Sequence, residues 1–196
     1  MKKYRTKYRK RSGGKVIVTL LSAIMVLAGL GIIGYTVLIG DPFATAALFG
    51  KEAPSDSTMT LTIPEMRRVD EVPVYDGPAT NEAALHDGTL HINSTGFPWN
   101  SGSNVYIAGH RMGFPGTKSY LVFWDLDKLQ NGDEVVLKDA NGTRYTYQVF
   151  RKFVVAPNDV SVLQPVAGKS IVSLQTCTLP DYSERLIVQA ELVSVG

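Results

Sequence analysis

The feature that most constrains this chain is a run of 25 residues, Val16 to Gly40, in which no side chain except Tyr35 can ionise. An α-helix rises about 1.5 Å per residue, so about 20 apolar residues cross the hydrocarbon core of a bilayer. A helix over this run would therefore be long enough to span a membrane with some tilt. The pattern predicts a transmembrane segment at residues 16–40.

The charges of the chain are unevenly divided around this run. Residues 1–15 carry eight basic side chains and no acidic one, whereas residues 41–196 carry 12 basic and 18 acidic side chains. Cytoplasmic flanks of membrane spans are rich in Lys and Arg, so we expect a cytoplasmic tail at residues 1–15 and an extracellular main domain. The mildly acidic charge of that domain argues against nucleic acid as a partner.

A cleaved signal peptide is the alternative interpretation of the N-terminus. Ala44-Thr45-Ala46 resembles a cleavage site, but the apolar core of a signal peptide is usually about 7–15 residues long, well short of this run. We therefore expect an uncleaved anchor and a single-pass protein of the cell membrane. Residues 41–58, which are rich in Ala, Pro, Ser and Thr, predict a stalk or linker, and residues 59–196 have the size of one domain.

The main domain has the pattern of a β protein. Eight short stretches rich in β-branched and aromatic residues are separated by turn signals. They are residues 61–63, 72–74, 105–108, 134–138, 145–149, 153–155, 171–174 and 186–190. Asn141-Gly142 is the best hairpin turn, because this pair readily takes positive φ angles. Short helices are predicted only at 82–86, with Asn81 as the cap, and at 123–129. The pattern predicts a mainly β domain, either a small closed barrel or a sandwich.

Cys177 is the only cysteine, which excludes an internal disulfide and a zinc site built from four cysteines. It stands just after the predicted strand 171–174. An unpaired thiol in an exported protein is either a small buried hydrophobe or a nucleophile. A strand end would hold a nucleophile rigidly beside a cleft, and the residues alone leave both interpretations open.

A nucleophilic thiol needs a partner that stabilises the thiolate. His110 stands at a strand end, His91 either packs a loop or lines a groove, and His86 is expected on the surface. Arg185 begins the strand after the Cys177 loop, where a guanidinium could bind a developing oxyanion, although each of these could equally be a solvated loop residue. The spacing of the histidines and the cysteine matches no zinc pattern, so no metal and no cofactor is expected.

Several motifs together resemble those of the sortase family, the membrane-anchored cysteine transpeptidases of Gram-positive cell surfaces. They are Asn104-Val-Tyr-Ile-Ala-Gly-His-Arg111, Leu174-Gln-Thr-Cys177, Arg185 eight residues beyond the cysteine, and the turn Leu129-x-x-Gly132-Asp133. The resemblance covers roughly residues 61–195. It implies the sortase fold, a mainly β, eight-stranded closed barrel with short helices. The stretch from Thr95 through Gly102 and the triplet Gly109-His110-Arg111 are similar to class E housekeeping sortases.

The resemblance also implies a role for each site residue. Cys177 attacks the Thr–Gly carbonyl of an LPXTG-like or LAXTG-like sorting signal, His110 protonates the leaving amine, and Arg185 holds the substrate and the oxyanion. Thr176 contributes to substrate or oxyanion binding. The implied partners are surface proteins that bear the sorting signal and an amine of a peptidoglycan precursor or a pilin.

Two other functions are compatible with the sequence. The enzyme could be mainly a hydrolytic cysteine peptidase, because the outcome of a thioester depends on whether water or an amine reaches it. The domain could also be a non-catalytic surface-binding module with an inert cysteine.

Overall fold

The computed structural model describes residues 24–32, 34–35 and 53–196. The chain divides into two units, Met1–Gly50 and Lys51–Gly196, and the strands lie in the second unit. In the first unit, residues 24–32 and 34–35 are helical. The predicted tail at 1–15, much of the predicted span at 16–40 and most of the predicted stalk at 41–58 lie outside the described residues. Where the chain is described, no helix combines the length and the apolar character that crossing a membrane requires.

Eight strands form a closed barrel in the order β1-β2-β3-β4-β7-β8-β6-β5. Their bounds are β1 Met59–Thr62, β2 Val72–Gly77, β3 Thr89–Ile92, β4 Asn104–Ala108, β5 Glu134–Asp139, β6 Arg144–Val155, β7 Ile171–Cys177 and β8 Arg185–Val195. Antiparallel pairing of β1 with β5 closes the sheet. The structure therefore confirms the closed barrel, and the sandwich alternative is wrong.

Strands β4 and β7 are neighbours, run parallel and are buried on both faces. Every residue of β4 is buried, as are the first four residues of β7. One face of these strands contributes to the barrel interior, where large side chains such as Phe123 and Leu174 are fully buried. The other face carries a second apolar cluster in which Tyr106 and Ile187 pack against Ile92. A strand that is covered on both faces has a nearly continuous run of apolar residues in place of an alternating pattern. This explains why residues 105–108 of β4 are apolar throughout.

The predicted strand count is right, but two of the assignments are wrong. Residues 145–149 and 153–155 belong to one strand, β6, whose register with β8 shifts between Val149 and Arg151. A bulge interrupts the alternation of side chains without ending the strand. Strand β3 is absent from the prediction, because Thr89–Ile92 is only four residues long and is followed directly by polar loop residues.

The helices follow the prediction in part. Helix α1 spans Glu82–Asp87, and Asn81 caps it through a hydrogen bond from the Ala84 amide to its side chain. The predicted helix at 123–129 is wrong in extent, since only Leu126–Lys128 forms a 3₁₀ turn. A second 3₁₀ turn, Val160–Leu163, lies in the connection between β6 and β7 and was not predicted.

The predicted hairpin turn joins β5 to β6, but it depends on an aspartate. Gly142 has a positive φ of 82°, whereas Asn141 lacks the positive φ that a two-residue hairpin turn of type I′ requires at both of its central residues. The carboxylate of Asp139 instead accepts hydrogen bonds from the backbone amides of Asn141 and Thr143, each at 2.9 Å, and from the Tyr145 hydroxyl at 3.1 Å. The buried carboxylate thus organises the turn.

Replacing Asp139 with Ala tests this arrangement. We expect the free energy of unfolding to fall by about 2–3 kcal/mol, because two backbone amides and a buried hydroxyl lose a charged acceptor. Asn141→Ala, a matched change at the exposed tip of the same turn, is expected to cost less than about 0.5 kcal/mol. Urea unfolding of both variants measures the difference, and equal losses would show that Asp139 has no special role.

Candidate active site

Cys177 is the last residue of β7 and is partly exposed. The antiparallel register of β7 and β8 places Cys177 directly opposite Arg185, the first residue of β8. Directly opposed residues in an antiparallel pair have Cβ atoms about 4.5–5.5 Å apart. The thiol and the guanidinium therefore stand on neighbouring strands at one edge of the barrel.

His110 reaches the same edge because β4 and β7 are parallel. Ala108 is level with Gln175 in their register, so two further residues along each strand bring His110 level with Cys177. Two hydrogen bonds hold the strands together at this point. The Gly109 amide donates to the Gln175 carbonyl at 3.0 Å, and the Thr176 hydroxyl donates to the Gly109 carbonyl at 2.8 Å. The structure thus brings together the three residues that the sequence proposed as catalytic.

Glycine at position 109 allows the chain to turn closely over the barrel core. A Cβ atom at this position would lie 2.6 Å from the ring of the fully buried Phe123. The backbone amide of Phe123 in turn donates to the His110 carbonyl at 2.9 Å. The backbone of His110 is consequently fixed from two sides, by β7 and by the segment around Phe123.

The environment of His110 disfavours its charged form. Burial lowers the pKa of its imidazole, and the charge of His86 lowers it further, whereas Glu82 acts in the opposite direction. Burial disfavours an imidazolium because the protein interior solvates charge poorly. His110 therefore remains a neutral proton acceptor to a lower pH than a free histidine.

Arg185 is held by the connection between β7 and β8. Its Nη1 donates to the carbonyl oxygens of Tyr182 and Glu184, both at 3.0 Å. Its charge also acts on Tyr106: burial raises the pKa of the Tyr106 hydroxyl, and Arg185 lowers it in part. The guanidinium is therefore oriented by the carbonyl oxygens of its own loop.

Thr176 has a structural contact that sequence reasoning missed. Its side chain is fully buried, and its hydroxyl is the donor that binds the Gly109 carbonyl. It thereby ties the strand of the cysteine to the strand of the histidine. The predicted contact of Thr176 with substrate or oxyanion stays a prediction.

The face of the sheet that carries Cys177 continues into a cavity. Gln175 lies two residues before Cys177 on the same face of β7 and accepts a hydrogen bond from the Tyr106 hydroxyl at 2.8 Å. Ser173 lies two residues before Gln175. Its hydroxyl donates to the Asn104 side-chain oxygen at 2.7 Å and accepts from the Gln189 side-chain nitrogen at 2.9 Å. Beyond this row lies a cavity of about 290 Å³. Its lining includes Arg151, Phe153, Asp159, Val162, Gln164 and Gln189.

The wall of this cavity is fastened to the sheet by Asn104. The amide nitrogen of this buried side chain donates to the carbonyls of Val162 at 2.8 Å and Gln164 at 3.1 Å. Because strand residues are about 3.3 Å apart, Ser173 lies about 13 Å from Cys177 along β7.

The other two histidines lie in different settings. His91 is fully buried; its Nδ1 is 2.7 Å from an Asp76 carboxylate oxygen and its Nε2 is 3.0 Å from the Gly96 carbonyl. It therefore packs the loop after β3, which was one of the two alternatives. The expectation that His86 lies on the surface is wrong, because its ring is half-buried with its centroid 6.2 Å from that of His110. Within the described part of the chain, no group of three or more His, Cys, Asp or Glu side chains is arranged to hold a metal ion.

Comparison with known proteins agrees with this architecture. The model of the sortase domain family matches residues 61–193. Sortase A of Streptococcus agalactiae serotype III (strain NEM316) is 34% identical over 127 residues, which make up 64% of this chain and 49% of that protein. The chain thus spans about half the length of the curated relative that it matches.

Solved structures of sortases superpose on the barrel. Sortase A from Corynebacterium diphtheriae matches with a TM-score of 0.61 and 27% identity, covering 74% of this chain and 64% of that one. Sortase C1 from Streptococcus agalactiae matches with a TM-score of 0.60 and 32% identity, covering 70% of this chain and 67% of that one.

The matched region contains every strand from β2 to β7 and the cysteine, histidine and arginine at the barrel edge. Since the family model covers well over half of the chain and the fold is that of the solved relatives, the chain belongs to the sortase family.

Proposed function

We propose that this chain is a membrane-anchored cysteine transpeptidase that cleaves a C-terminal sorting signal between Thr and Gly and transfers the acyl group to a cell-wall amine. The observation that supports this most directly is the register of β4, β7 and β8, which brings Cys177, His110 and Arg185 to one edge of the barrel. The cavity is lined in part by Gln189, which lies opposite Ser173 in the pairing of β7 with β8. The function is inferred from this arrangement together with membership of the family.

The first chemical step forms a thioester. His110 takes the proton of the Cys177 thiol, and the thiolate sulfur attacks the carbonyl carbon of the threonine. The negative charge that develops on the carbonyl oxygen is stabilised by Arg185. The carbon–nitrogen bond then breaks, His110 returns the proton to the departing glycine amine, and the acyl group remains on the sulfur.

The second step reverses the roles of the groups. An incoming amine attacks the thioester carbonyl, His110 takes a proton from that amine, and the sulfur leaves as a thiolate. Because a thioester keeps much of the acyl transfer potential, an amine can capture it and form a new amide. The neutral form of His110, which burial favours, is the form that both steps need at their start.

We place the substrate along β7 between Cys177 and the cavity. The distance of about 13 Å along β7 from Cys177 to Ser173 matches about four extended residues, the number that precede the scissile bond of a pentapeptide signal. We propose an LPXTG-like or LAXTG-like signal of a surface protein as the acyl donor. A peptidoglycan precursor or a pilin provides the amine, and the specificity is closest to the class E housekeeping type.

The N-terminal segment supports a location at the cell membrane. The described helical residues 24–32 and 34–35 carry large apolar side chains that are mostly exposed, for example Met25 at 77% and Leu27 at 69%. Exposed apolar surface of this extent is covered in a functional state by lipid or protein. With the basic residues at 1–15, it supports a single-pass anchor with a cytoplasmic N-terminus and an extracellular catalytic domain.

Replacing Cys177 with Ala tests the chemistry. We expect cleavage of LPXTG-like and LAXTG-like peptides to be abolished while the fold is retained, because no other group can form the thioester. Mass spectrometry of the products, with triglycine or a diaminopimelate peptide as the amine, also tests transfer by the wild-type enzyme. Cleavage by Cys177→Ala contradicts the proposal, hydrolysis alone despite added amine favours the peptidase, and an uncleaved panel with an unreactive Cys177 favours the binding module.

Arg185→Lys tests the need for a guanidinium. Lys has one point charge and cannot both bind the two loop carbonyls and present further donors to an oxyanion. We expect kcat/KM to fall by about 10²–10³-fold with little change in the free energy of unfolding. Arg144→Lys, at the exposed start of β6, is the matched control and should leave kcat/KM unchanged; a similar loss in both variants would count against a specific role.

Thr176→Val separates the two roles of the threonine. The change keeps the shape but removes the donor to the Gly109 carbonyl, so we expect the free energy of unfolding to fall by about 1–2 kcal/mol. A decrease in kcat/KM should accompany it, and Thr176→Ser should retain both properties. A decrease in kcat/KM at unchanged stability would indicate direct contact with substrate or oxyanion instead.

A further inference from the structure

Helix α1 brings a second imidazole next to His110. The ring centroids of His86 and His110 are 6.2 Å apart, and the planes of the rings are inclined by 31°. His86 lies near the end of α1, and its carbonyl accepts a hydrogen bond from the Ser119 amide at 3.4 Å. The pair is therefore produced by the tertiary fold and has no counterpart in the sequence motifs.

The two rings share an enclosed environment. The Nε2 atoms of both His86 and His110 are buried, and within the described residues neither has a hydrogen-bond partner. The Phe114 ring meets both imidazoles edge-on, with centroid distances of 5.1 Å to His86 and 6.4 Å to His110. Gly113 allows this segment to approach, because a Cβ atom there would lie 2.7 Å from the His110 ring. Solvent is thus kept from the buried nitrogens of both rings.

We propose that His86 is a positioning residue of this site, a second imidazole that acts through His110 by competing with it for a proton. The inference rests on the proposed role of His110 as the proton acceptor and donor. Two positive charges about 6 Å apart repel each other strongly where water is excluded. When His86 is charged, His110 is correspondingly harder to protonate.

The other charged groups near the pair leave His86 as the one that changes charge. Glu82 on α1 acts on His110 in the opposite sense. The remaining groups are engaged or belong to the site: Asp87 with Lys118 at 2.6 Å and with Tyr75, Arg111 with Asp127 at 2.7 Å, and Cys177 with Arg185 across β7 and β8. Among all of these side chains, an imidazole is the one that ordinarily gains or loses charge between pH 5 and 8.

The direction of the effect follows from the reaction. Cys177 can lose its proton to His110 only while His110 is neutral, so activity falls at acidic pH when His110 becomes charged. When His86 carries a proton, His110 becomes charged only at a lower pH. His86 therefore extends the activity of the site towards the acidic side, in the same direction in which burial acts on the pKa of His110.

Two substitutions of His86 in the full-length protein test this effect, one that removes the charge and one that retains it. His86→Gln is neutral at every pH, so the pKa of His110 should rise, and the acidic limb of kcat/KM should move up with it. His86→Lys keeps a positive charge at this position throughout the range, so both should stay at or below their wild-type values. We expect an upward shift of about 0.5–1 pH unit in His86→Gln and no upward shift in His86→Lys. NMR titration of the His110 ring measures the protonation directly, and the buried His91 in the same spectra is an internal control that should not shift.

The NMR titration is independent of peptide cleavage, so failure of the inference and failure of the proposed function are distinguishable. A pKa of His110 that rises in His86→Gln but not in His86→Lys supports the inference even if no peptide is cleaved. An unchanged His110 pKa in His86→Gln, or a rise in both variants, would overturn it. If His86→Gln does not fold, His86→Asn replaces it, with the same rise expected and an unchanged pKa of His110 again contradicting the inference.

Discussion

The parallel pairing of β4 with β7 is the constraint on which the rest of the site depends. Parallel strands end at the same edge of a sheet. The residues that follow β4 therefore lie beside the end of β7, whatever the conformation of the loops. Because both strands are buried on both faces, their register cannot slip without exposing apolar side chains or burying polar ones. The positions of His110 and Cys177 are thereby fixed by the burial of the two strands.

Much of the strand-borne part of the site could be predicted from the sequence. Cys177, His110 and Arg185 stand at the ends of β-branched, apolar runs, and a run of this kind reveals a buried strand without any knowledge of its neighbours. The closed barrel could not be chosen over a sandwich in the same way, because closure depends on the pairing of β1 with β5. That pairing joins segments about 75 residues apart and leaves no periodic signal in either of them.

The loop-borne part of the site could not be predicted. His86 was expected on the surface because its helix is short and its neighbours are polar, and nothing local in 82–87 shows that a segment around Phe114 folds over it. Thr176, on β7, is a separate case: its place beside the proposed nucleophile predicts a substrate contact, and the contact that its hydroxyl makes in the structure is with the Gly109 carbonyl. In both cases the decisive partner lies on a different element, and only the tertiary structure shows which partner is in reach.

The cavity has a wall that is held through its backbone, and its floor is formed by the sheet. Asn104 binds the carbonyl oxygens of Val162 and Gln164 and not their side chains. Every residue has a carbonyl oxygen, so the connection between β6 and β7 can carry different side chains and still be held at the same distance from the floor. The buried chain of Asn104, Ser173 and Gln189 is fully hydrogen-bonded, which removes the desolvation penalty that unpaired polar groups would cause at this depth. Cys177 and the wall of the cavity are therefore positioned by separate sets of residues. Under the proposed function, side-chain changes in the wall would alter the shape of the cavity without moving the reacting groups.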